Sequence, residues 1–128
     1  MMKEAEPFDR VRKIGRNLAG VEEGTTYGSP ALKLDGKMFA CMAVHRSAEP
    51  GTLAVRIDFP QRDELLAADP STYYLTDHYL NYPTVLVRLS RVHPDALKDL
   101  LRMAYEFARG ERRRTRPRRR AGSPRRSK

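Results

Sequence analysis

The chain has 128 residues, 25 of them Lys or Arg and 16 Asp or Glu, giving a formal net charge of +9. That length suits one domain, and a single cysteine, Cys41, excludes an intramolecular disulfide framework and a CxxC metal site. The longest apolar run, Met38 to Val44, is far too short to span a bilayer, and Met1 to Pro7 contains no apolar stretch of the signal-peptide kind, so a cytoplasmic, bacterial-type protein is expected.

A first helix is predicted from Pro7 to Leu18. Pro7 suits the first helical position, and Phe8, Val11, Ile14 and Leu18 fall on one stripe. Gly15 weakens the interior, and Gly20 is a plausible stop. Val21 to Pro30 holds Gly24, Gly28 and Pro30 and reads as a loop or irregular edge.

Ala31 to Val44 reads as a β-hairpin around Asp35-Gly36, a type I′ turn pair. That turn sets Leu34 opposite Lys37, Lys33 opposite Met38 and Leu32 opposite Phe39. The predicted core face is then Leu32, Leu34, Phe39, Cys41 and Ala43, with Lys33, Met38, Ala40 and Met42 on the other. After a loop containing Pro50-Gly51, Leu53 to Phe59 alternates cleanly. Leu53, Val55, Ile57 and Phe59 are expected inward, and Ala54, Arg56 and Asp58 outward. Pro60 ends that strand.

Arg62 to Ala68 is predicted as a short helix closed by Asp69-Pro70. Ser71 to Thr76 is a weak strand, and Thr84 to Ser90 a strong one with Val85, Val87 and Leu89 inward. The last helix starts at Pro94-Asp95. Leu97, Leu100, Leu101, Ala104, Tyr105 and Ala108 make its apolar side, Lys98, Arg102, Glu106 and Arg109 take the opposite side, and Gly110 is the predicted stop. The fold class is therefore α+β: two layers, an antiparallel sheet with helices on one face, in the order α-β3-α-β2-α.

The charge is unevenly placed. Arg109 to Lys128 holds eleven basic residues and one acid, Glu111, a net of +10; residues 1–108 hold 14 basic and 15 acidic residues. The expected organisation is a folded domain over 1–109 and a disordered Arg-rich tail over 110–128, because blocks of like charge repel and stay unfolded. Arg112, Arg113, Arg114, Arg116, Arg118, Arg119, Arg120, Arg125 and Arg126 have the fork geometry that grips phosphate oxygens. The tail reads either as an arm binding DNA or RNA backbone without sequence preference or as a solubilising extension.

The segment Val21-Glu22-Glu23-Gly24-Thr25-Thr26-Tyr27-Gly28-Ser29-Pro30-Ala31, followed by Gly36-Lys37-Met38-Phe39-Ala40, resembles the MmcQ/YjbR family. His78-Tyr79-Leu80-Asn81 and Val85-Leu86-Val87 extend the resemblance over roughly residues 8–108. It implies a small two-layer domain with an antiparallel sheet and a DNA-binding role for the sheet surface, with no agreed enzymatic activity. The family commonly carries a tryptophan near the position of Thr84, and this chain has none.

Two further surfaces are candidates. Lys33, Arg56 and Arg88 fall on the sheet face opposite the core, partly offset by Asp58, and make either a phosphate platform or an ordinary solvated face. Tyr27, His78, Tyr79 and Asn81, with Tyr73, Tyr74 and Tyr82 nearby, either line a ligand pocket or stacking surface or close the edge of the core. Glu22 and Glu23 argue against a phosphate loop at Gly24–Pro30, and no GxxxxGK[ST], GxGxxG or GxSxG occurs. Cys41 reads as a small buried hydrophobe, and His45, His78 and His93 lack metal-ligand spacing. No catalytic residue, metal or cofactor is expected. The leading expectation is a non-enzymatic nucleic-acid binder, taken as a monomer. The alternative is a protein- or small-ligand-binding module.

Overall fold

The computed structural model describes residues 7–115. Helix α1 (Phe8–Gly15) is followed by strands β1 (Val21–Thr26), β2 (Ser29–Leu34), β3 (Lys37–Met42) and β4 (Thr52–Arg56). Helix α2 (Phe59–Ala68), strand β5 (Tyr73–Tyr74), a 3-10 turn (Asp77–Tyr79), strand β6 (Thr84–Arg88) and helix α3 (Pro94–Thr115) complete the order. All pairings are antiparallel, and the sheet runs β1-β2-β3-β4-β6-β5. The α+β class with helices on one face is what the structure has, with four strands rather than three before the middle helix.

One face of the sheet alternates into the main core. Leu53, Val55, Ile57, Val85, Val87 and Leu89 pack there against Phe8 and Val11 of α1 and Leu97, Leu100, Leu101 and Ala104 of α3. Leu65 and Leu66 of α2 join the same cluster. The opposite face carries only a small buried group, Ala31, Cys41, Ala54 and Leu86. Among the described residues no α-helix covers that group, though Tyr79 of the 3-10 turn packs against it, and the candidate site lies there.

Five local expectations are corrected. First, α1 ends at Gly15, not Leu18, because the chain turns there onto the sheet. A Cβ on Gly15 would lie 2.8 Å from both terminal methyls of Leu32. Second, Val21–Pro30 is not a loop. It forms β1 and the start of β2 around Tyr27-Gly28, whose φ angles of 52° and 79° make a second primed turn. Pro30 is tolerated because it pairs only with Thr25; pairing of β2 with β3 begins at Ala31.

Third, the Asp35-Gly36 hairpin keeps its predicted register only at Leu34 opposite Lys37 and Lys33 opposite Met38. The next pair is Leu32 with Ala40, so Phe39 is the extra residue of a β-bulge. Phe39 and Ala40 both enter the main core, whereas Cys41 and Ala43 move to the opposite face. Fourth, Phe59 is 42% exposed and opens α2. The Asp58 carboxylate accepts the Gln61 N–H at 2.9 Å, and Pro60 sits in the first turn, so the helix starts three residues before Arg62. Fifth, α3 continues through Gly110 to Thr115. A helical glycine costs only about 1 kcal/mol, which the flanking Glu and Arg helix formers offset. Arg112, Arg113 and Arg114 thus belong to α3, while Arg116, Arg118, Arg119, Arg120, Arg125 and Arg126 lie outside the described residues.

Candidate functional site

On the helix-free face, the β1–β2 turn, the strands β3 and β4, and the 3-10 turn enclose an open cleft of about 580 Å³. Its floor is Met38, Cys41 and Ala54, residues small or slender enough to leave space. Tyr27, His78 and Tyr79 line it; Asn81, grouped with them by sequence, is exposed and does not.

The wall that sequence reasoning missed is His45. Its ring stacks on His78 with centroids 3.6 Å apart and planes 11° from parallel. Tyr79 meets both edge-on, at 84° to His45 and 87° to His78. Ser47 fixes the His45 ring: its backbone N–H donates to Nδ1 at 3.1 Å, and its hydroxyl lies 2.8 Å from that nitrogen. The Ser47 hydroxyl also lies 2.8 Å from the Thr76 hydroxyl, which ties the loop after β3 to the segment before the 3-10 turn. With Nδ1 accepting, a neutral His45 carries its proton on Nε2. Burial holds the His45 pKa below its ordinary value, and the charges of His78 and Arg46 push the same way.

Cys41 lies on the floor, where burial pushes its thiol up to about 11. It is a neutral thiol at physiological pH and a poor nucleophile. Burial likewise raises the Tyr79 phenol. The 3-10 segment is held from below by Arg62 of α2, a buried guanidinium. Its Nη1 donates to the carbonyls of Leu80 and Tyr82, both at 3.0 Å, and it stacks over the Phe59 ring at 4.7 Å. Only the fold reveals that role, since an arginine in a short helix ordinarily faces water.

Lys33, Arg56 and Arg88 share the helix-free face as strand alternation requires, but they do not gather. Arg88 makes a bidentate pair with Glu49, both bonds 2.9 Å, and Nη1 donates to the Ser71 carbonyl at 3.0 Å. Its guanidinium also lies 4.2 Å from the Tyr74 ring centroid. The Arg88 hydrogen bonds pull the Glu49 pKa down and raise that of Arg88. Arg56 sits at the rim of the cleft with its guanidinium 5.9 Å from the Phe107 ring. Lys33 lies along Gly24 of β1.

A different basic surface appears on the helical side. Arg10 and Lys13 of α1 face Lys98 and Arg102 of α3 across a groove of about 400 Å³, with Asp95 its one acid. Arg10 donates to the Leu89 carbonyl, while Lys13, Lys98 and Arg102 are exposed. Among the described residues, no three His, Cys, Asp or Glu side chains gather as a metal site, and no helix is long and apolar enough to cross a membrane.

The YjbR family model matches residues 16–107. The chain belongs to the YjbR family. Its fold is also that of the crystal structure of Deinococcus radiodurans protein DR2400, a DUF419 protein. The two align with a TM-score of 0.63 over 83% of this chain and 85% of that one, at 23% identity. Comparison with curated proteins finds no match. The match leaves the Arg-rich C-terminal segment outside the family region, and the cleft residues Tyr27, Cys41, His45, His78 and Tyr79 inside it.

Proposed function

We propose that this YjbR-family chain is a non-enzymatic, cytoplasmic protein that binds DNA or RNA weakly and without sequence preference. One observation carries the reading: a net charge of +10 is concentrated between Arg109 and Lys128. Phosphate contacts need cations, not base-specific geometry, and arginine meets phosphate oxygens two at a time. Helix α3 runs directly into that segment, and its earlier residues Lys98 and Arg102 form one wall of the basic groove against α1. The groove would add Lys13, Lys98 and Arg102 to the phosphate contacts that the C-terminal arginines supply. The bidentate Glu49 pairing makes Arg88 the weakest member of the sheet-face set for this purpose.

Salt dependence tests the reading. If about 6–10 phosphates are contacted, affinity for a duplex oligonucleotide falls roughly 10³–10⁵-fold between ~50 and ~200 mM salt. Replacing Arg112, Arg113, Arg114, Arg116, Arg118, Arg119 and Arg120 by Gln in the full chain should flatten that slope. A slope near zero in the unaltered chain, or an unchanged slope in the substituted one, refutes the proposal.

A further inference from the structure

The cleft on the helix-free face has a chemistry of its own, independent of the nucleic-acid reading. We propose that it is a binding site for a small planar aromatic carboxylate. Four observations converge. The floor of Met38, Cys41 and Ala54 is apolar and open, which rewards burial of a hydrocarbon ring. The His45–His78 stack and the edge of Tyr79 present π surfaces, which favour a flat aromatic partner over an aliphatic one.

The rim is cationic. Arg46 and Arg56 both line the cleft, and among the described residues no Asp or Glu does. The Nε2–H that Ser47 leaves on His45 is a further donor for a carboxylate oxygen. Finally, Tyr27 is held at φ 52° in the β1–β2 turn with its side chain 89% exposed. A bulky residue is strained in the left-handed region, and among the described residues no burial of the Tyr27 ring offsets that. Its ring stands at the cleft edge, where it closes over a bound ring.

Other occupants fit less well. Two imidazoles stacked face to face cannot converge their lone pairs on one metal ion, and Nδ1 of His45 is already engaged. A phosphodiester chain would set charged, hydrated phosphates over an apolar floor that rewards only a hydrocarbon ring. The volume of about 580 Å³ lies in the range of small-molecule sites and suits a one- or two-ring ligand.

The test uses the full chain and indole-3-carboxylate as probe, followed by calorimetry and two-dimensional NMR. Saturable binding is expected, with shifts centred on residues 26–27, 41–46 and 78–79. Indole, which lacks the carboxylate, and cyclohexanecarboxylate, which lacks the π system, should each bind at least ~10-fold more weakly. Arg46→Gln, an exposed substitution, should weaken the probe ~10-fold, and Ala54→Leu should abolish binding by filling the floor. Should Ala54→Leu fail to fold, His78→Ala at the exposed half of the stack gives the same reading. The Arg→Gln chain used for the salt test should bind the probe unchanged. No saturation, equal binding of cyclohexanecarboxylate, shifts confined to the α1–α3 groove or the C-terminal arginines, or indifference to both Arg46→Gln and His78→Ala would each overturn the proposal.

Discussion

His45 shows how much a single ring can depend on its surroundings. It is half-buried, it stacks on a second imidazole, and Arg46 adjoins it in sequence. Each of these disfavours the imidazolium, so its pKa in the fold lies below the ordinary 6.5. The sign of the linkage follows. The fold prefers neutral His45 more than the unfolded chain does, so the stability from this residue is fully present above about pH 6.5. It declines as pH falls through the lowered folded value. A proton NMR titration should therefore find the His45 ring changing state below pH 6.5. His45→Asn should flatten the stability profile on that acidic side and leave the neutral side less affected. A His45 midpoint at or above 6.5 contradicts the stacked geometry. His45 had no motif to announce it, because its partner lies on a different loop. His78 and Tyr79 were legible as part of an aromatic cluster. Asn81 shared their sequence neighbourhood but not their direction.

At the scale of elements, legibility followed the contrast between neighbouring residues. Leu53 to Ile57 alternates large apolar side chains with a small or charged one, Ala54 and Arg56, so its phase is readable and correct. Met38 to Val44 is apolar throughout, so nothing in it marks where the alternation slips. The bulge at Phe39 is invisible there, and with it the transfer of Cys41 to the cleft floor. The turn at Asp35-Gly36 has the expected pair of residues, whereas Tyr27-Gly28 uses an aromatic at a left-handed position and hides β1 in an apparent loop. Gly15 gives the element scale its own test. Elsewhere, Gly→Ala at an exposed helix position gains up to about 1 kcal/mol in helix propensity. Here the new Cβ would press on both methyls of Leu32, which is only 2% exposed and has no room to yield. Overpacking of that kind costs about 1–3 kcal/mol and wins. Gly15→Ala should therefore lower stability by ~1 kcal/mol in urea unfolding. In a Leu32→Ala background, where the space is open, the same change should be neutral or stabilising. Stabilisation in the unaltered background would show that α1 does not approach β2 this closely.

For the molecule as a whole, the net charge of +9 divides into a near-neutral body and a C-terminal segment of +10. The body is divided again by its sheet. Helices α1 and α3 and their basic groove occupy one face, and the aromatic cleft the other. At ~0.1 M salt the Debye length is about 10 Å, so exposed charges on one face are largely screened from ligands on the other. The strands between are packed on both faces by buried side chains such as Val55 and Ala54, which resist rearrangement, and among the described residues only Arg56, against Phe107 of α3, reaches from the cleft rim to a helix. Coupling between sites is reciprocal and needs a two-state element. Saturating indole-3-carboxylate should then change the affinity for a duplex oligonucleotide by less than about 2-fold, and the oligonucleotide should leave the probe's affinity equally untouched. Fluorescence anisotropy of a labelled duplex, with and without the probe, measures this directly. Direct competition would mean that the two ligands share the arginines at the cleft rim. The phosphate track would then run across the sheet face through Arg46 and Arg56 rather than along α1 and α3.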